Sequence, residues 1–139
     1  MNLVEVNIAI GTDPKYHGVR VDDEAGKALS WTWSAGGFDA VIAKGTSTVT
    51  LYTNAKAYMQ LKKQNVLTVT AKNGELIDSV TIKTTSASYL TNLQKCFADQ
   101  QFTVNEAEFS LTLKLNAVTE FTFTNTTTST IYIESVEVV

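Results

Sequence analysis

Apolar and polar side chains alternate along this chain with a period of two, most plainly in its last third. Phe109, Leu111, Leu113 and Leu115 are separated by Ser110, Thr112 and Lys114; Phe121-Thr122-Phe123-Thr124 repeats the pattern, and Ile131-Tyr132-Ile133 opens a run that ends on Val136, Val138 and Val139. That period sends successive side chains to opposite faces of a strand, one to a core and one to solvent. The polar partners are mostly Thr, whose branched Cβ suits a pleated surface. In the final run the apolar face switches between Ile133 and Val136, which predicts either a bulge at Glu134-Ser135 or burial on both faces.

The earlier chain reads the same way. Val4, Val6, Ile8 and Ile10 form a first strand stopped by Gly11-Thr12-Asp13-Pro14. Short strands follow at Val19–Val21 and Leu29–Trp33, the second closed by Ala35-Gly36-Gly37. Further runs lie at Asp39–Ala43, at Val49 and Leu51, at Met59 and Leu61, and at Leu67–Ala71. Asn73-Gly74 between alternating runs signals a hairpin returning through Ile77–Lys83. Leu90, Leu93 and Phe97 sit at helical spacing, so a helical turn is expected within Tyr89–Phe97, followed by a strand at Phe102–Val104. No helix is long enough to cross between parallel strands. The predicted class is all-β: an antiparallel two-sheet β-sandwich of about nine strands, forming a single domain over residues 1–139.

Composition narrows the function. With 139 residues, 44% hydrophobic and 18% charged, the chain can bury a core by itself and is not a disordered segment. A net charge of −3 without a basic stripe argues against a nucleic-acid partner. No apolar run approaches bilayer length, which argues against membrane insertion. The start Met1-Asn2-Leu3-Val4 lacks the features of a secretory leader, so the expected location is the cytosol or a particle assembled there. The single cysteine, Cys96, excludes an internal disulfide and a usual zinc site. Beside Phe97 and near Leu93 it reads as a small core hydrophobe; a reactive thiol would need His17 as its imidazole partner.

Candidate chemistry is sparse. His17, in Lys15-Tyr16-His17-Gly18, reads as an exposed loop residue. The carboxylate pairs Glu106/Glu108 and Glu134/Glu137 read as solvated faces rather than a glycosidase dyad. Asp22, Asp23 and Glu24 share one turn, with Asp13 in another; hard oxygen ligands on sandwich loops make a structural calcium site a candidate, against the simpler reading of an acidic turn. Trp31 and Trp33 project from one face of a strand, either as a platform for sugar rings or as core or interface filling. Tyr52 and Tyr58, opposite Leu51 and Met59, are expected to be exposed and to extend such a surface. Asn125-Thr126-Thr127 fits a glycosylation acceptor, though turn chemistry explains it better. Ala35-Gly36-Gly37-Phe38 lacks the Lys and the following helix of a phosphate loop.

Two stretches carry a resemblance: Asn73-Gly74-Glu75-Leu76-Ile77-Asp78-Ser79-Val80-Thr81-Ile82, and Phe121-Thr122-Phe123-Thr124-Asn125-Thr126 followed by Ile131 to Val138. In this order they resemble jelly-roll modules of bacterial surface proteins and of phage virion accessory proteins, over roughly residues 47–139. The first forty residues lie outside it. The shared motifs are fold motifs and transfer no catalytic residue. Together with the sparse chemistry, the resemblance implies a non-catalytic structural protein of a phage virion, of capsid-decoration or fibre type. Such a protein works through protein partners in a symmetric assembly, as a homo-oligomer joined by an apolar patch. The alternative is a carbohydrate-binding or adhesion module at a bacterial cell surface, with surface glycans as partners. No cofactor is expected beyond the candidate calcium.

Overall fold

Alternation along the chain becomes alternation of burial. In β4 (Phe38–Ala43), Phe38, Ala40 and Ile42 are buried while Asp39, Val41 and Ala43 are half-buried. The computed structural model describes residues 5–139; Val4, assigned above to the first strand, lies outside them. The other strands are β1 (Val6–Ala9), β2 (Val19–Asp22), β3 (Ala28–Ala35), β5 (Met59–Leu61), β6 (Val66–Ala71), β7 (Ile77–Thr84), β8 (Thr103–Asn105), β9 (Ser110–Val118), β10 (Glu120–Thr124) and β11 (Ile131–Val138). One α-helix, α1 (Ala87–Lys95), and a 3-10 turn at Pro14–Tyr16 complete the order.

The strands form two antiparallel sheets that pack as a sandwich, consistent with a jelly-roll-like module. The first sheet runs β1-β11-β7-β9-β8, with β5 also on β11; the second runs β10-β6-β4-β3-β2. Eleven strands occur among the described residues, against the expected nine or so. The run at Val49 and Leu51 is not one of them: residues 44–58 carry no strand, and the alternation there belongs to an irregular segment that buries Leu51 and exposes Val49.

The Asn73-Gly74 turn forms, with φ of 57° and 79° and the Glu75 N–H donating to the Lys72 carbonyl at 3.0 Å. It is not a hairpin, because β6 pairs with β4 and β10 while β7 pairs with β9 and β11. The turn is a corner between sheets. Local backbone chemistry set the reversal, and packing of the two layers set the partners. The bulge expected in the last strand is there, as a register shift between Ile133 and Ser135 against β7.

The core fills the space between sheets with Trp33, Ile42, Leu67, Val69, Ile82, Leu111, Phe121, Val136 and their neighbours. Each fully buried large side chain contributes roughly 1.5–3 kcal/mol. The helix expected at Tyr89–Phe97 starts two residues earlier, capped by Ser86, whose side chain accepts from the Tyr89 N–H. Its buried Leu90 and Leu93, with Phe97 beyond, close one end of the sandwich, where Phe97 meets Phe121 and Phe123 at centroid distances of 6.3 and 4.8 Å.

Asn125 anchors the β10–β11 connection. Its side chain is fully buried; Nδ2 donates to the carbonyls of Leu61 and Ser129, and Oδ1 accepts from the N–H and hydroxyl of Thr127. The acceptor-like tripeptide is thus a buried turn anchor, as turn chemistry suggests.

Candidate functional site

The two indoles share a face, as their spacing demands, and that face is the core. Trp31 and Trp33 are 8% and 1% exposed and lie parallel, 6.1 Å apart and 8° from coplanar. Each ring nitrogen has found a backbone acceptor: Trp31 Nε1 donates to the Tyr52 carbonyl at 3.1 Å and Trp33 Nε1 to the Gly11 carbonyl at 2.8 Å. Gly18 covers the pair so closely that a Cβ there would lie 2.6 Å from Trp33 Nε1 and 2.9 Å from Trp31 Cε3. A stacking platform for sugar rings needs an open indole face, and this pair has none.

Tyr52 is also buried, at 8% exposure, which corrects the expectation of an exposed ring. The parity argument assumed a strand, and the segment is not a strand. Tyr58 is half-buried. These two rings join two that the sequence reading did not single out. Tyr58 stacks on Tyr132 of β11 at 4.4 Å, Tyr132 on Tyr89 of α1 at 4.4 Å, and Tyr52 lies 6.1 Å from Tyr58, all within 19° of parallel. Gln60 Nε2 donates to the Tyr132 hydroxyl at 3.1 Å. Burial, then the neighbouring phenols, push the Tyr132 hydroxyl up to about 12, and burial also raises Tyr52. Tyr132 could have been found as an outward position between Ile131 and Ile133; its neighbours in the stack come from elements far away in sequence.

The outer face of the first sheet holds a hollow of about 610 Å³. Asn7 of β1, Lys83 of β7, Asn105 of β8, Glu134 and Glu137 of β11 and Glu108 from the β8–β9 turn line it, and Tyr16 and Ala57 stand at it too. Lys83 Nζ lies 3.3 Å from a Glu108 oxygen and 3.8 Å from a Glu134 oxygen. These groups are partly solvated, so the pairs orient side chains more than they stabilise the fold. Amides, hydroxyls and carboxylates around a shallow hollow can exchange hydrogen bonds with a hydroxyl-rich ligand.

The remaining candidates fall apart from one another. Glu106 and Glu108 are exposed and sit in a turn rather than on one strand face, which takes away the geometry a paired-carboxylate mechanism asks of them. Asp22, Asp23 and Glu24 are exposed. Asp22 Oδ1 is 2.5 Å from Arg20 Nε, and Asp23 Oδ1 accepts from the N–H groups of Ala25 and Lys27, both at 2.9 Å. Two of the three carboxylates are therefore engaged within their own hairpin. No group of three metal-binding side chains occurs among the described residues. His17 is exposed, in the left-handed region at φ 57°. Cys96 is half-buried against the core at the C-cap of α1, and burial pushes its thiol up, away from the thiolate a nucleophile requires.

Among the described residues, the β2 edge of the second sheet stands open. All four residues of β2 are exposed, and Val19 and Val21, at 62% and 51%, are among the most exposed large apolar side chains of the described residues. Leu29, at 42%, is in the adjacent β3. No helix among the described residues is long and apolar enough to cross a membrane. Comparison with protein-family models, curated proteins and solved structures finds no match to this chain.

Proposed function

We propose that this chain is a non-catalytic structural module that works by protein–protein assembly, of the kind used as capsid-decoration or fibre proteins of phage virions. The observation that carries the reading is the open β2 edge. A short strand at a sheet border, with unpaired backbone groups and two exposed valines, is a template for another chain. Its guards are partial: β2 is four residues long, carries Arg20 and Asp22 and meets a register shift against β3, but it holds no lysine or proline, and no element covers it among the described residues. The virion setting rests on the resemblance given above. Sedimentation equilibrium from micromolar to about 1 mM tests the assembly reading, since even a weak contact of about −4 kcal/mol registers in that range. Association is expected; a monomer throughout would sink it.

A second reading, a carbohydrate-binding or adhesion module, draws on the polar hollow on the outer face of the first sheet. The indoles contribute nothing to it. Its test is a glycan array followed by titration of the best hit against Glu137→Ala and Asn7→Ala. Loss of binding in both variants would support it, and an array without hits would remove it.

A further inference from the structure

We propose that β2 pairs with β2 of a second copy of this chain, antiparallel and centred on Val21, joining two five-stranded sheets into one across a two-fold axis. The proposal rests on the assembly reading above and specifies its partner and register.

The backbone selects the register. The Asp23 N–H donates to the Lys27 carbonyl at 2.8 Å, inside the β2–β3 hairpin. The β2–β3 register shifts between Val21 and Asp22, but the extra residue, Leu29, is on β3, so alternation runs on along β2: the backbone groups of Val21 and Val19 also point toward β3, where Val21 stands opposite Ser30 and Val19 opposite Thr32. The N–H and C=O groups of Arg20 and Asp22 therefore point out of the sheet, and β2 is its last strand. Centring the pair on Val21 sets each Arg20 opposite Asp22 of the other copy. Both then exchange N–H···O bonds, and each guanidinium meets a carboxylate. Val21 falls opposite Val21 at the close, non-hydrogen-bonded position, with Val19 on the diagonal.

The neighbouring registers fail. Centring on Arg20 brings two guanidiniums face to face and centring on Asp22 two carboxylates, and like charges directly opposite are destabilising. Centring between residues sets outward-pointing backbone groups against inward-pointing ones. No other sheet border among the described residues is self-complementary in this way. β10 offers Glu120 without a cation, and β8, β5 and β1 carry no charge of either sign within their strands.

The salt bridge inside one chain does not compete. Arg20 uses Nε on Asp22 and Nη2 on the Gly26 carbonyl at 3.2 Å, and the remaining guanidinium donors stay free for the second copy. The contact is one short strand long, so the dimer is expected to be weak and concentration-dependent rather than obligate.

Four variants in a Cys96→Ser background test this. Val21→Cys is expected to form a disulfide dimer under mild oxidation, because a non-hydrogen-bonded pair about 4.5 Å apart lies within disulfide reach. Leu76→Cys, equally exposed but at the corner between sheets, is not. Arg20→Asp alone is expected to weaken association about tenfold, since two ion pairs become two repulsions, and Arg20→Asp with Asp22→Arg is expected to restore it. Near-ultraviolet circular dichroism checks that each variant is folded. Association that persists without the Val21→Cys cross-link and without response to charge reversal would overturn β2 pairing while leaving the assembly reading standing. A monomer at every concentration would overturn both.

Discussion

Replacing Asn125 with alanine removes an amide that serves two chain segments at once. The side chain donates at 2.9 Å to the Leu61 carbonyl in β5 and at 2.8 Å to the Ser129 carbonyl, and accepts at 3.0 and 2.7 Å from Thr127. With net hydrogen-bond contributions of roughly 0.5–1.5 kcal/mol each, four bonds sum to about 2–6 kcal/mol. Some of the loss is recovered, because the single Thr127 hydroxyl proton turns from Asn125 Oδ1 to the Ser129 carbonyl, 3.0 Å away, and both residues reach solvent. The expected destabilisation is about 3 kcal/mol, equivalent to a fall in Tm of about 10 °C for a domain of this size. Urea unfolding followed by the fluorescence of the buried Trp31 and Trp33 measures it. Asn125→Asp keeps the acceptors but turns a carboxylate toward two carbonyls, which raises its folded pKa. That variant gains stability as pH falls from the raised folded pKa toward the unfolded value of about 3.9. An Asn125→Ala variant within about 0.5 kcal/mol of the parent, the range of neutral surface changes, would refute the anchoring role.

Gly18→Ala is expected to cost about 1–3 kcal/mol, read by thermal unfolding, because its methyl would press on both indoles. Trp33→Phe leaves the buried Gly11 carbonyl without its donor and opens space, for an expected loss of about 2–4 kcal/mol in the same urea assay. Tyr132 ionises at about 12 in the folded chain, above the ordinary value near 10. The folded state thus keeps a proton that the unfolded state releases, and stability is fully present below pH 10 and lost as pH rises through about 12. Denaturation curves between these limits should slope downward in the parent and less so in Tyr132→Phe; equal slopes would count against the buried stack.

What the sequence determined was what neighbours along the chain control. Alternation dictated strands, because a period of two is enough to divide side chains between two faces. It offered a bulge at Glu134-Ser135 as one of two readings, and it located the chain reversal at Asn73-Gly74 and the helix carrying Leu90, Leu93 and Phe97, since sterics and side-chain spacing act over a few residues. It also put Trp31 and Trp33 on a single face.

Which face that was, only the tertiary structure decided. Parity does not distinguish core from solvent until a second layer covers one side, and here Gly18, the Gly11 carbonyl and the Tyr52 carbonyl cover the indoles. Tyr52 was misplaced because parity has no meaning outside a strand. Asn73-Gly74 could not reveal that its flanking strands join different sheets. The polar hollow gathers Asn7, Lys83, Asn105 and Glu137 only because β11 lies between β1 and β7, and β9 between β7 and β8. Pairings across so many residues are chosen by the packing of the whole sandwich, where burial of both inner faces outweighs any local preference.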